Sequence, residues 1–310
     1  MRVVVTGGAG YIGSHTAALL VELGHVVIVV DDLSGGFADA VPKGATLVTA
    51  KVSAPAMRDA CEGADAVVHF AGRIQVGESV IDPKKYWHDN FVESLAALDA
   101  AMGAKVPAFV FSSTAAVYGT PRTTPIPEDH PTEPINPYGE TKLAFEHALA
   151  GYGRAYGLKW AALRYFNAAG TFGGLRERHV PETHLIPLTI AATKGGAPLK
   201  LFGSDWPTPD GTCIRDYVHV RDLAAAHVAA LEHLGKGGES GVFNLGSGKG
   251  ATVREVIAEV ERATGRAVPI IASPRREGDP AVLVASIEKA RRVLGWSPTL
   301  GLAEIVASAI

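Results

Sequence analysis

The chain has 310 residues, of which 47% are hydrophobic and 20% charged, with a formal net charge of −3 at pH 7. Length and apolar content suffice for a large core in one extended domain or two packed lobes, and the near-neutral balance gives no electrostatic reason to expect nucleic acid or an anionic membrane as partner. No apolar stretch approaches the roughly 18 residues of a membrane span, the apolar run after Met1 breaks into glycines rather than forming a signal-peptide core, and Cys61 and Cys213 offer neither a disulfide framework nor metal-ligand spacing, so a reducing cytoplasm is expected.

From the N terminus the pattern alternates strand and helix. RVVVT (2–6) is a short β-branched run, HTAALLVELG (15–24) has helical periodicity ended by glycine, and VVIVVD (26–31) is a second buried strand. ATLVTAKV (45–52), the helix-like APAMRDACEG (54–63), the strand AVVHFAG (66–72), a long helix around Trp87 to Met102, the strand AFVFSS (108–113) and a helix carrying Lys142 follow. Near-continuous apolar strands separated by helices predict an α/β fold, a Rossmann-type doubly wound parallel sheet covered on both faces, over residues 1–165. After Arg164 the pattern loosens. Residues 165–215 are rich in Gly, Pro and Thr, then come the strand-like VFNLG (242–246), the helix VREVIAEVERATG (253–265) and the charged turn PRREGDP (274–280). A smaller mixed α/β substrate lobe is expected over 166–310, packed against the first, with a segment near 213–243 returning to the first domain.

TGGAGYIG (6–13) stands directly after the first strand and opens a helix. Gly8, Gly10 and Gly13 fit G-x-G-x-x-G, while Gly7, Gly10 and Gly13 fit G-x-x-G-x-x-G. Both spacings permit a tight turn and close backbone approach, and a helix N-terminus offers unpaired N–H groups and partial positive charge to a pyrophosphate. Asp31 and Asp32 end the second strand, where a carboxylate binds adenosine ribose hydroxyls and repels a 2′-phosphate, which favours NAD over NADP. A ligand-free glycine turn and a solvated acidic turn are the plainer alternatives.

Tyr138 and Lys142, in NPYGETK (136–142), lie four apart and so share one face of the helix they open. A phenol with its ordinary value near 10 is a poor base at neutral pH, and a neighbouring cation lowers it. The alternative is an exposed pair on a surface helix. Ser112, Ser113 and Thr114 end the preceding strand at the carboxyl edge of the sheet, where such folds bind ligands, although local turn capping also uses such residues. His179 and His184 bracket Pro181 and cannot share a helix face, so no metal site is expected there; zinc needs three or four convergent ligands.

The set TGGAGYIG, DDLS, HFAG with VGES, FSSTAAVYG, NPYGETK, RYFNAAG, PETHLIP, DGTCIRDYVHV and PRREGD, running in order from Met1 to about residue 300, resembles the extended short-chain dehydrogenase/reductases and, within them, the UDP-glucose (UDP-galactose) 4-epimerases. The resemblance implies that Tyr138 takes the proton of a sugar 4-hydroxyl while C4 gives its hydride to NAD. Lys142 then holds the nicotinamide ribose and depresses the phenol, and Thr114 bridges to the same hydroxyl. It further implies a cofactor lined by Gly7, Gly10, Tyr11, Ile12, Gly13, Asp31, Asp32, Phe70, Ala71, Gly72, Asn90, Ser112 and Tyr165. For a UDP-sugar it implies Asn167, His184, Leu185, Phe202, Arg215, Arg276, Asp279 and Leu283, with Phe202 packing near the uracil or in the core. Arg215 beside Asp216 has the further reading of an ion pair. A homodimer is implied through the Tyr138 helix and the long helix before the Ser/Thr strand.

Three positions depart from the pattern. Lys51 replaces an acidic residue facing the adenine amino group, Ile74 replaces a lysine near the nicotinamide, and Leu283 is intermediate where bulky or small residues gate the sugar's 2-substituent, which implies modest activity on N-acetylated sugars. The C-terminal helix is expected to be short or missing. Thr114 is followed by Ala115 and Ala116, so the acids of the related dehydratases and decarboxylases are absent. Epimerases of UDP-N-acetylhexosamines or UDP-uronates, the latter using Arg73, Arg176 or Arg178, and a non-catalytic NAD sensor remain as alternatives.

Overall fold

Valine-rich strands buried on both faces set the architecture. The computed structural model describes residues 1–276 and 278–310. β1 (Arg2–Thr6), β2 (Val26–Asp31), β3 (Ala45–Thr49), β4 (Ala66–His69), β5 (Ala108–Thr114) and β6 (Lys159–Tyr165) alternate with α1 (Tyr11–Glu22), α2 (Pro55–Cys61), α3 (Val76–Ile81), α4 (Pro83–Tyr86), α5 (Glu93–Gly103) and α6 (Pro137–Tyr156). β7 (Asn167–Ala169), α7 (Leu185–Thr193), β8 (Leu199–Phe202), β9 (Ile214–Arg215), β10 (Tyr217–His219), α8 (Val220–Gly235) and β11 (Gly241–Leu245) follow, then β12 (Ala251–Thr252), α9 (Val253–Thr264), β13 (Ile270–Ser273), β14 (Val282–Leu283) and α10 (Leu302–Ala309).

One seven-stranded sheet runs in the order β11-β6-β5-β4-β1-β2-β3, all its pairs parallel. The strand order reverses between β1 and β4, and the crevice at the carboxyl ends of such strands is where doubly wound sheets bind ligands. Successive residues of a strand face opposite sides. Val3, Val5, Val27, Val29 and Val110 therefore join Ala17 and Leu20 of α1 and Leu223, Ala226 and Ala230 of α8 in one core. Val4, Ile28, Val30, Phe109 and Phe111 join Met57 of α2, Leu98 of α5, and Phe145 and Leu149 of α6 in the other. A third, smaller core unites Ile186 and Ile190 of α7, Val256, Ile257 and Val260 of α9, and Ile305 and Val306 of α10. In α9, Thr252 and Glu255 cap each other's backbone N–H groups, and Gly265 ends the helix at φ +66°.

Three local expectations are corrected. The first helix begins at Tyr11 rather than His15, because Gly10 serves as its N-cap. Residues Trp87–Val92 wind as a wide π-type turn before α5 instead of continuing a regular helix. The segment expected to return to the first domain near 213–243 extends to Leu245, so that VFNLG lies largely in an edge strand of the large sheet, with Phe243 paired to Leu163. The last helix, α10, has 8 residues. No helix among the described residues is long and apolar enough to cross a membrane.

Candidate active site

The glycine turn lies at the crevice between β1 and β4. Gly7 has φ +66°, and a Cβ there would meet Ala71 N at 2.5 Å; one on Gly13 would meet Gly7 O at 2.2 Å. Gly8 is instead packed on Val29 in the sheet-facing layer. Backbone contacts therefore require glycine at 7 and 13, whereas a Cβ on Gly10 would meet only Gly7 O, at 3.3 Å. Gly10 offers no side-chain acceptor to the helix it caps, so the first N–H groups of α1, including those of Tyr11 and Ile12, stay open to an anion. This cradle, too tight for a side chain at Gly7 and Gly13 and lined with backbone donors, fits a pyrophosphate. Asp31 is buried and accepts hydrogen bonds from Ala9 N (3.0 Å) and Leu33 N (2.8 Å), which tie β2 to the glycine turn. Asp32 is exposed beside it and accepts from Ser34 N.

Phe70, Ala71 and Gly72 continue from β4 along the opposite wall. Asn90 is buried on the π-type turn, a geometry that often marks functional positions; its Oδ1 accepts from Arg73 N at 2.6 Å and its Nδ2 donates to Arg73 O. A Cβ on Gly72 would lie 3.0 Å from Asn90 Oδ1 and 3.6 Å from Lys142 Nζ, so these three residues converge.

β5 alternates its hydroxyls. Ser113 turns away and donates to Glu146, which also pairs with Arg164 in the buried interior. Ser112 and Thr114 share the other face. α6 starts at Pro137, one residue before Tyr138, because Asn136 caps it, its side chain accepting from Gly139 N at 2.9 Å. Gly139 is needed here, since a Cβ would sit 2.7 Å from Ala116 O. Tyr138 is half-buried and packs edge-on against the buried Tyr86, centroids 6.5 Å apart. Lys142 is 3% exposed; its Nζ donates to Ser112 O at 3.0 Å and lies 6.0 Å from the Tyr138 ring centroid. Tyr165, at the end of β6, directs its hydroxyl to His227.

The expected depression of the Tyr138 phenol by Lys142 is corrected by this geometry. Burial raises the phenol above its ordinary value, and the opposing influence is the Thr114 hydroxyl rather than the lysine, whose ammonium is turned toward Ser112. Burial also pulls Lys142 down to about 8.

The second lobe brings part of the predicted substrate set together. Arg276 stacks on Phe202, 3.9 Å from the ring centroid, so Phe202 meets a guanidinium on one face and is not a core aromatic. Arg215 donates to Ile214 O and Pro280 O at 2.9 and 2.8 Å and lies 3.6 Å from Asp279. β14 pairs with β9, placing Leu283 opposite Arg215. The Arg215–Asp216 ion pair does not form: Asp216 is fully buried and accepts from Ser247 N, Ser247 Oγ, Gly248 N and Ala285 N. Asn167 donates to Asp216 O at 3.0 Å. His184 caps α7, which starts at Leu185, and its Nδ1 faces Glu177 and Glu182. Although burial lowers His184, those two carboxylates hold it up to about 10. Lys51 is exposed, and Ile74 is 42% exposed.

Sequence reasoning missed Tyr86, Asn136 and the buried Glu146–Arg164 pair. Asn136 carried a readable signal, an N-cap type residue before Pro at the first helical position. Tyr86 and Glu146 had none, since the residues they meet at the site, Tyr138 for the first and Ser113 and Arg164 for the second, belong to other elements.

Residues 3–246 match the NAD dependent epimerase/dehydratase family. A UDP-glucose 4-epimerase of Corynebacterium glutamicum is 50% identical over 300 residues, covering 96% of this chain and 91% of its own length. The crystal structure of the UDP-glucose 4-epimerase of Brucella ovis in complex with NAD superposes with a TM-score of 0.97 at 46% identity, covering 99% of this chain and 97% of that one. The Bifidobacterium longum UDP-glucose 4-epimerase, solved with NAD+ and UDP, gives a TM-score of 0.92 at 37% identity, covering 100% and 97%.

Proposed function

The chain belongs to the NAD dependent epimerase/dehydratase family, and from that premise we propose that it inverts C4 of a UDP-hexose, interconverting UDP-glucose and UDP-galactose through a transient 4-keto sugar. The observation that carries the reading is the convergence of Thr114, Tyr138 and Lys142 at the carboxyl edge of β5, across from a glycine turn shaped for a dinucleotide. When bound, NAD supplies the hydride acceptor for C4 and a positive charge beside the phenol. An unactivated C4–H is not acidic, so inversion needs oxidation rather than deprotonation.

The chain's own residues hold and move the proton. Tyr138 accepts it from the C4 hydroxyl and returns it, the role of a general base that then acts as the acid. Thr114 orients that hydroxyl, and Lys142 anchors the nicotinamide ribose from its seat on Ser112 O. The turn at Gly7, Gly10 and Gly13 holds the pyrophosphate with Tyr11 and Ile12; Asp31 and Asp32 hold the adenosine ribose. Phe70, Ala71, Gly72, Asn90, Ser112 and Tyr165 complete the wall. Arginine's planar fork suits phosphate, so Arg215 and Arg276 take the diphosphate, with Asn167, His184, Leu185, Phe202, Asp279 and Leu283 around the uridine and sugar.

Two of the three arginines that could receive a uronate carboxylate are engaged elsewhere, Arg73 with Asp89 at 2.9 Å and Arg178 with Asp39. That favours a neutral hexose. We assign residues 1–165 to the cofactor and 166–310 to the UDP-sugar, with the segment near 213–243 serving the first domain, a division supported by α8 and β11 lying with the large sheet. A homodimer through α5 and α6 is part of the proposal, supported by exposed apolar side chains, Val92 at 53% just before α5 and Tyr156 at 67% at the end of α6. Two free thiols, Cys61 and Cys213, suit a reducing cytoplasm.

Incubation with UDP-galactose, UDP-N-acetylgalactosamine and UDP-galacturonate in turn, with products assigned by NMR, tests the reading. UDP-glucose from the first is expected, with slower turnover of the second; an unchanged UDP-galactose signal would overturn it. Tyr138→Phe separates an enzyme from an NAD sensor. Turnover should fall about 10²–10⁴-fold while the purified protein keeps its NAD.

A further inference from the structure

We propose that Glu177, His179, Glu182 and His184 form a binding site for a divalent transition metal of the zinc class, which fastens the segment 171–184 behind the glycine turn. One ligand atom from each of these four side chains lies within 4.8 Å of all the others. The chain spacing Glu-x-His-x-x-Glu-x-His is not helical; a loop folds it into a cluster.

The Glu177 carboxylate is the hub. Its side chain is 8% exposed, and its Oε1 lies 2.9 Å from His179 Nδ1 and 2.8 Å from His184 Nδ1. His184 Nδ1 is at the same time 2.8 Å from Glu182 Oε1. That oxygen is aimed by the backbone, accepting from Thr183 N and His184 N at 2.7 Å each. In the metal-free protein the imidazoles share protons with the two carboxylates through these contacts, and a metal takes the place of those protons, since a ligating imidazole must be neutral. Tetrahedral zinc, with bonds of about 2.0–2.2 Å, sets its ligand atoms about 3.3 Å apart, so side-chain shifts of about 1 Å close the site. Two nitrogen and two oxygen donors suit zinc and its neighbours, whereas calcium and magnesium call for oxygen throughout.

The position gives the site a purpose. His179 packs edge-on against Tyr11, centroids 6.0 Å apart, and the Tyr11 hydroxyl donates to Gly170 O, just before the segment. Between the cluster's residues, Arg178 reaches across to Asp39 and lies 3.9 Å over the Phe37 ring. Arg176, Arg178 and His179 thereby form a wall of the cleft that Ala9, Gly10 and Tyr11 open. A metal at the cluster locks that wall in place.

The test is zinc binding by the full chain, measured by competition with a chromophoric chelator and by elemental analysis after gel filtration. Wild type should retain one zinc per chain with submicromolar affinity. His179→Gln combined with Glu182→Gln should weaken binding about 100-fold or more, and Glu177→Gln should do the same. Retained NAD and an unchanged circular dichroism spectrum identify variants that are folded. EDTA should lower the thermal midpoint of wild type and leave the double variant unmoved. No zinc uptake by wild type, or equal uptake by the folded variants, would overturn the site. Neither readout depends on turnover, so its failure and that of the epimerase reading are distinguishable.

Discussion

Tyr138 and Lys142 have ordinary values close together in water, and burial drives them apart in the opposite order from a base and its cationic helper. In the protein alone the lysine loses its proton first, near pH 8, while the phenol is held above its ordinary value. A phenolate beside an ammonium therefore needs further positive charge in the groove. For Lys142 the linkage is direct. Its folded value, about 8, lies below the ordinary 10.5, so between these limits the unfolded chain binds the extra proton and this group's contribution to stability rises with pH. Below pH 8 the burial penalty is present in full, on the order of 3 kcal/mol. Lys142→Met should therefore stabilise the NAD-free protein near pH 7, with the gain fading toward pH 10.5. Urea unfolding checks this, and a difference constant with pH would contradict it. At this scale the sequence was informative about which residues matter and silent about how they face. The Tyr138–Lys142 spacing and the hydroxyls of β5 were legible. That Nζ would turn to Ser112 O, that Tyr86 would brace the phenol ring, and that Glu177 and Glu182 would join two histidines depended on contacts that no spacing encodes.

The elements around the site are held by close backbone approaches. α1 leaves β1 through a turn in which Gly13 nearly touches Gly7 O, and a Cβ 2.2 Å from that oxygen cannot fit without moving helix or strand. Gly13→Ala should lose NAD on purification and melt at a lower temperature. Gly151, inside α6, has nothing within 4 Å of an added Cβ, so Gly151→Ala should stabilise by about 0.5–1 kcal/mol through the helix preference of alanine. Equal effects of the two substitutions in thermal melts would contradict the packing argument. Strands and most helices of the first half were legible because β-branched runs alternate with periodic segments. The start of α1 was not, since Tyr11 to Gly13 read as the end of the glycine motif. The π-type turn at Trp87–Val92 was not either, as its residues carry helical periodicity and only the buried Asn90 records the change.

For the whole molecule, the Rossmann-type sheet follows from pattern alone, while the second lobe, made of short strands and three helices around a small core, does not. β11 shows why: five residues return from the far half of the chain to pair with β6, and their sequence says strand without naming the sheet. The assembly is tested at the same scale. Val92 is 53% exposed beside α5, and Val92→Glu should convert a dimer to a monomer in sedimentation velocity; a wild type already monomeric at micromolar concentration would contradict the proposed pairing. The central claim is that C4 is oxidised and re-reduced within one active site. Supplied with UDP-galactose deuterated at C4 in ordinary water, the enzyme should yield UDP-glucose that keeps its deuterium at C4, whereas release of the label to solvent would show that inversion proceeds by proton exchange.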